Sequence, residues 1–408
     1  MACKVEDKAG MIPLHYVAAF LETPAVVVQK MIEEYSYSVC HKTLDGDTPL
    51  HILIRNASDN NSSSSNASSS NSELNDNARL VLNLLLGTVS STNDGDRDFN
   101  EQYCPLLIEN REKLTPLHCF ALFNATKDIG NILMSHPLAS KALTMANAHG
   151  STPLHIAVAS PNISIETIQV LGTMESAMTQ DRLHRTPLHV ASQNVHASAT
   201  AIRFLIKINP LACNKQSSGG YLPIHLSVHS KAKLNIVREI YDSFPLGLER
   251  ESVLADTPLH KAASNNAPID VADFLIEHNQ GAVYKENQMG DLPLHCATAS
   301  GASTEMVQTL VVAWPQGVST QNRAGDTPLH LLLKNNPTQE KLNLLIYSTA
   351  SSPSCILLLN AAGETPLHVA KDHNASLDII NTLETAAEDW TKQVLEDGWS
   401  SFDDIRSR

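Results

Sequence analysis

Eighteen histidines and seven cysteines in a chain of 408 residues supply enough nitrogen and sulfur for a metal centre or a proton relay. Ten of the histidines, His15, His51, His118, His155, His189, His225, His260, His295, His330 and His368, each close a Pro-Leu-His phrase, with Ile224 in place of leucine before His225. Successive members lie 36, 67, 37, 34, 36, 35, 35, 35 and 38 residues apart. Zinc needs its nitrogens about 2 Å from one ion, whereas equivalent residues of stacked units stand on the order of 10 Å apart. The phrase histidines therefore read as structural groups, each imidazole bonding backbone within and between adjacent turns. His149 and His184 fall in predicted turn tips and read as exposed loop residues. No metal and no cofactor are expected.

Other chemistries lack their signatures. The seven cysteines are scattered with no Cys-x-x-Cys pair, and Cys119 and Cys296 directly follow a phrase histidine; they read as reduced thiols filling small buried gaps, in a cytoplasmic or nuclear compartment. The chain shows no Gly-x-Ser-x-Gly elbow, no His-Glu-x-x-His and no phosphate-cradling glycine loop, so no enzyme is indicated. A formal net charge of −14 without a basic stripe argues against nucleic acid as a partner. No apolar run reaches the roughly 18 residues of a membrane span, and Met1 to Lys8 do not resemble a secretion signal.

One further series could recognise a partner. The residue before each helix-capping position runs Met11, Asp47, Leu114, Ser151, Arg185, Tyr221, Asp256, Asp291, Asp326 and Glu364. The four consecutive carboxylates are expected to form a line that steers a basic patch of a partner protein, with Arg185 and Tyr221 adding specificity. Short polar residues also suit such a turn without any partner.

The elements that position these residues follow from the phrase itself. In Gly325-Asp326-Thr327-Pro328-Leu329-His330, the glycine allows a tight turn and the threonine can cap a helix. The proline occupies the first helical position, where no N–H is needed. The same positions in the other units predict ten helix starts, and Ile12, Leu222 and Leu292 replace the capping threonine in three of them, at an expected cost of about 1 kcal/mol each. Each unit then offers a second apolar helix, for example Ile129, Ile132 and Leu133; Ile202, Leu205 and Ile206; or Leu234, Val237 and Ile240. Pro137, Pro210, Pro245 and Pro315 follow several of these helices and should stop them.

Thr152 to Ala157, Thr186 to Ala191, Thr257 to Ala262 and Thr365 to Ala370 each read Thr-Pro-Leu-His-x-Ala. At this period the chain resembles an ankyrin-repeat protein. The resemblance implies an all-α solenoid of about ten helix-turn-helix units with β-turn or hairpin tips, covering residues 1–390. It also implies binding of a protein partner through the tips and the concave face. The expected function is a non-catalytic scaffold or adaptor, acting as a monomer, and the alternative is a regulatory or targeting subunit of a separate enzyme. The doubled step from His51 to His118 reads as two insertions: a Ser/Asn-rich tract at 57–77, expected to be disordered, and a polar loop at 88–109. Residues 391–408 read as an acidic tail or cap extension.

Overall fold

The computed structural model describes residues 2–20, 23–62, 76–87, 103–161, 164–335, 337–347 and 353–396. It divides into two compact units, Met1–Ser218 and Gly219–Arg408. In the first unit the helix pairs are Pro13–Ala18 with Ala25–Glu34, Pro49–Ser62 with Asp76–Leu85, Pro116–Phe123 with Lys127–Met134, Pro153–Ala159 with Ile165–Leu171, and Pro187–Gln193 with Ala199–Ile208. In the second they are Pro223–His229 with Leu234–Ser243, Pro258–Ser264 with Ile269–His278, Pro293–Ser300 with Thr304–Ala313, Pro328–Lys334 with Gln339–Tyr347, and Pro366–Asp372 with Leu377–Glu396. Every first helix begins at the phrase proline. No strand occurs among the described residues. The protein is an all-α helical-repeat fold.

Packing follows the repeat. Within each unit, every first helix lies against the first helix of the next repeat, and every second helix against the next second helix. The phrase leucines Leu14, Leu50, Leu117, Leu154, Leu188, Leu259, Leu294 and Leu329 are fully buried, as are Leu133, Ile202, Leu205, Val237, Ile240, Leu342 and Leu345 of the second helices. Their burial is the main favourable term, since no helix of this length is stable alone. Ile132, Ile206 and Leu234, counted with these faces from their spacing, sit at the edge and are only half-buried. Pro210, Pro245 and Pro315 do more than stop the preceding helix. Each begins a short 3-10 turn, Pro210–Asn214, Pro245–Leu248 and Pro315–Ser319, that carries the chain back toward the next tip.

The insertions are shorter in the fold than their composition suggests. The Pro49–Ser62 helix runs into the Ser/Asn-rich tract, with Ala57 buried, and the Asp76–Leu85 helix starts before the tract ends. Asn77 accepts from the Ala25 amide (2.8 Å) and donates to the Thr23 carbonyl (2.8 Å), tying the restart to the first repeat. Residues 63–75 lie outside the described residues, as do 88–102 of the expected polar loop. Its last part is structured: Cys104, Pro105 and Leu106 are buried around the 3-10 turn Pro105–Leu107. At the other end the Leu377–Glu396 helix passes through position 390 without a break, burying Ile379, Leu383, Ala386 and Trp390 on one face. Residues 397–408 lie outside the described residues.

Each turn passes through a left-handed position five residues before the histidine. Gly220 and Gly325 hold it at φ +72, and a Cβ there would lie 2.6 Å from the next tip's backbone nitrogen, that of Val253 or Ala361. Gly325→Ala is therefore expected to cost roughly 1–3 kcal/mol, since it adds left-handed strain to a steric clash. Urea denaturation of the purified protein measures this, and an unchanged midpoint would contradict the close approach.

Candidate functional site

Most tips are built by one polar side chain that stands eight residues before the phrase histidine. Asn287 shows how. Its Oδ1 accepts from the amides of Met289 (2.8 Å) and Asp291 (3.0 Å), which folds the turn, and its Nδ2 donates to Asp256 of the preceding repeat (3.0 Å). Asn322 and Asn360 repeat the arrangement, donating back to Asp291 (2.7 Å) and Asp326 (3.2 Å), and Asn110 donates to Asp47 (2.9 Å). One backbone bond then joins each tip to the next: Val253 to Gly219 (3.0 Å), Gln288 to Leu254 (2.9 Å), Arg323 to Met289 (3.0 Å) and Ala361 to Ala324 (2.9 Å), each from N–H to carbonyl. The series Asp7, Asn110, Asn147, Asp181, Ser252, Asn287, Asn322 and Asn360 shares one offset from the histidine, and that constant offset is its signal in the sequence.

Behind the tips the histidines form a second ladder. The Thr257 amide donates to His260 Nδ1 (3.2 Å), and His260 Nε2 faces the Asp291 carbonyl of the next repeat (3.0 Å). An amide only donates and a carbonyl only accepts, so Nδ1 is the acceptor and Nε2 carries the proton. The same pair of contacts recurs at His15, His51, His118, His155, His225, His295 and His330. His368, at the end of the series, is exposed and engages only its own cap residue among the described residues.

This geometry changes the part played by the capping threonine. Thr327 Oγ1 lies 2.8 Å from His330 Nδ1 and only 3.4 Å from the His330 amide it was expected to cap. Ile12, Leu222 and Leu292 keep the shared contact, their amides donating to the histidine Nδ1 at 3.1, 3.2 and 3.1 Å. The histidine is an acceptor at the helix start in all three, while the hydroxyl bond that Thr327 and Thr365 add, 3.4 Å from the histidine amide, is what these three lack. Burial pushes the pKa values of His51, His118 and His225 down to about 4, which keeps the ring neutral and Nδ1 free to accept.

The residues before the cap face into this framework. Asp256 is buried, 2.9 Å from Lys261 Nζ, and Lys261 also stands 5.0 Å above the ring of half-buried Tyr221. Burial raises the Asp256 pKa, but Lys261 and Asn287 outweigh it, and the net displacement is below the ordinary carboxylate range. Asp326 is buried and grips Lys334 with both oxygens, at 2.9 and 2.8 Å. Asp291 and Glu364 are half-buried, accept from Asn322 and Asn360 respectively, and have no ion-pair partner among the described residues. In the first unit Arg185 is half-buried and bound to Asp181 (2.7 Å) and Gln193 (3.1 Å). The structure thus joins Tyr221 and Asp256 through one lysine. It sets Asp291, Asp326 and Glu364 on successive turns, each tied to an asparagine.

Two consecutive tips also expose apolar side chains. Val253, Leu254 and Met289 are 59%, 53% and 65% exposed on two consecutive tips, beside their backbone-bonded neighbours Gly219 and Arg323. Among the described residues no group of three metal-binding side chains converges, and no helix is long and apolar enough to cross a membrane.

Residues 243–316 match the family model for ankyrin repeats. Among solved structures, the ankyrin repeat domain of Bcl-3, described as a member of the IkappaB protein family, is 26% identical, covering 58% of this chain and 99% of its own with a TM-score of 0.44. The human ASB11 ankyrin repeat domain is 18% identical, covering 58% of this chain and 98% of its own with a TM-score of 0.47. The phrase, turn, helix pair and histidine contacts inside the matched stretch recur both before residue 243 and after residue 316, and the chain is an ankyrin-repeat protein.

Proposed function

We propose that the chain is a non-catalytic protein-binding scaffold or adaptor whose partner lies along the repeat tips. The observation that carries this reading is the exposed set Val253, Leu254 and Met289. The turn backbone around them is already hydrogen-bonded from tip to tip, so an arriving partner covers apolar surface at little polar desolvation cost. Of the acidic series, Asp291 and Glu364 have no ion-pair partner among the described residues, and a basic patch on the partner meets these two. Asp256 and Asp326 serve the stack through Lys261 and Lys334, and Arg185 and Tyr221 border the tips of their own units.

The test compares captured proteins. Wild type and a Val253→Ser, Leu254→Ser, Met289→Ser variant, matched for circular dichroism, are used as bait in the same native lysate. Partners retained by the wild type and lost from the variant support the reading. An identical set on both baits overturns it. An enzyme among the lost partners would assign the chain to regulation or targeting.

A further inference from the structure

The second helices of the second unit present an outer face that the tips do not use. Because these repeats are 35 residues apart, equivalent positions line up across stacked helices. One row reads Asp242, Glu277, Val312 and Tyr347, and another Asp270, Glu305 and Glu340. All seven side chains are exposed. The first row changes character midway, from carboxylates on two helices to large apolar groups on the next two, with Val312 72% and Tyr347 64% exposed.

Between Ile269–His278 and Thr304–Ala313 these rows border a groove of about 470 Å³ lined by Asp273, Ile276, Glu277, Glu305, Gln308, Thr309, Val312 and Ala313. Asp273, Glu277 and Glu305 have no hydrogen bond or ion pair among the described residues, and no cation lines the groove. Arg238 lies over the Phe274 ring at 5.3 Å. The carboxylates do not converge as metal ligands do, which disfavours a bound divalent cation.

We propose that this groove docks a cationic amphipathic helix of a protein partner, a second interaction surface separate from the tips. Lysine or arginine side chains pair with Asp273, Glu277 and Glu305, and the apolar face of the helix covers Ile276 and Val312 and continues toward Tyr347. The row fixes the direction of docking, with the basic end of the partner over Asp242 and Glu277 and the apolar end over Val312 and Tyr347. Both the charge and the apolar floor are needed, because exposed ion pairs alone contribute little.

The probe is a fluorescein-labelled lysine–leucine peptide of about 18 residues, patterned as one cationic and one apolar helix face, long enough to cross about three helices. Anisotropy is read at low salt against the full chain. An Asp273→Asn, Glu277→Gln, Glu305→Gln variant is expected to lose about tenfold or more in affinity. Val312→Ser, which leaves the charge untouched, should lose about threefold. A control, Glu112→Gln, Glu166→Gln, Glu175→Gln, alters three exposed carboxylates of the first unit and matches the change in net charge; it should lose less than about twofold. Equal losses in the groove and control variants would mean general attraction to an acidic protein and would overturn the proposal. So would failure of the wild type to bind, or unchanged affinity in the groove variant. Loss of binding in the Val253, Leu254 and Met289 tip variant alone would place the peptide on the tips and also overturn it, leaving the tip reading intact.

Discussion

Between pH 6.5 and about 4 the protein is expected to lose most of its stability. His51, His118 and His225 titrate near 4 in the folded chain against an ordinary value of 6.5, because burial disfavours the charged ring. In that window the unfolded chain binds more protons, so stability falls as pH falls. The contribution is fully present above 6.5 and fully withdrawn below about 4. Each of the three accounts for about 3 kcal/mol. His15, His155, His260, His295 and His330 are lowered for the same first cause and add to the effect. Asp181 and Asp256, depressed despite burial by Arg185 and by Lys261, act in the same direction at the acid end, since their stabilisation is lost as pH drops through the folded pKa. The structural reason is that a protonated Nδ1 would point a hydrogen at the backbone N–H it must accept from. Thermal unfolding followed by circular dichroism from pH 7.5 to 4 checks this, and a melting temperature that holds steady down to pH 5 would contradict it.

Leu259→Ala is expected to cost roughly 2–5 kcal/mol. Leu259 is 1% exposed on the Pro258–Ser264 helix, which packs between Pro223–His229 and Pro293–Ser300. The cavity therefore weakens two interfaces at once, and stability in such stacks is a sum of nearest-neighbour terms. Hydrogen exchange should show protection lost first in these three helices, with the Leu377–Glu396 helix affected last. A uniform loss over the second unit would mean that it unfolds as a single cooperative block.

How far the sequence reached depends on the range of each contact. The helix starts at Pro13 through Pro366 were legible because turn glycine, cap, proline and leucine lie within six residues of one another. The phrase histidines were legible as structural groups for the same reason. The imidazole's share in the cap was not legible, because the tautomer that leaves Nδ1 free to accept is set by a carbonyl of the next repeat. Asp256 and Asp326 read as outward charges since their partners are spread along the chain. Lys261 and Lys334 lie five and eight residues away, and Asn287 and Asn360 come from the following tip. The exposed trio Val253, Leu254 and Met289 was missed because apolar residues in a turn carry no periodic signal. The line of Asp242, Glu277, Val312 and Tyr347 needs the constant step of 35, which the phrase had already supplied.

Within each unit the imidazole bonds between repeats point the same way, from Nε2 of one repeat to a carbonyl of the repeat that follows. Each stack consequently has a donor end and an acceptor end, like a row of one-way couplings. The exposed ring of His368 is the donor end of the second unit. A further repeat stacked beyond the pair Pro366–Asp372 and Leu377–Glu396 would find a hydrogen waiting for its tip carbonyl, whereas one stacked in reversed orientation would set donor against donor. Growth of such a protein by duplication is thereby vectorial: copies add head to tail or fail to register.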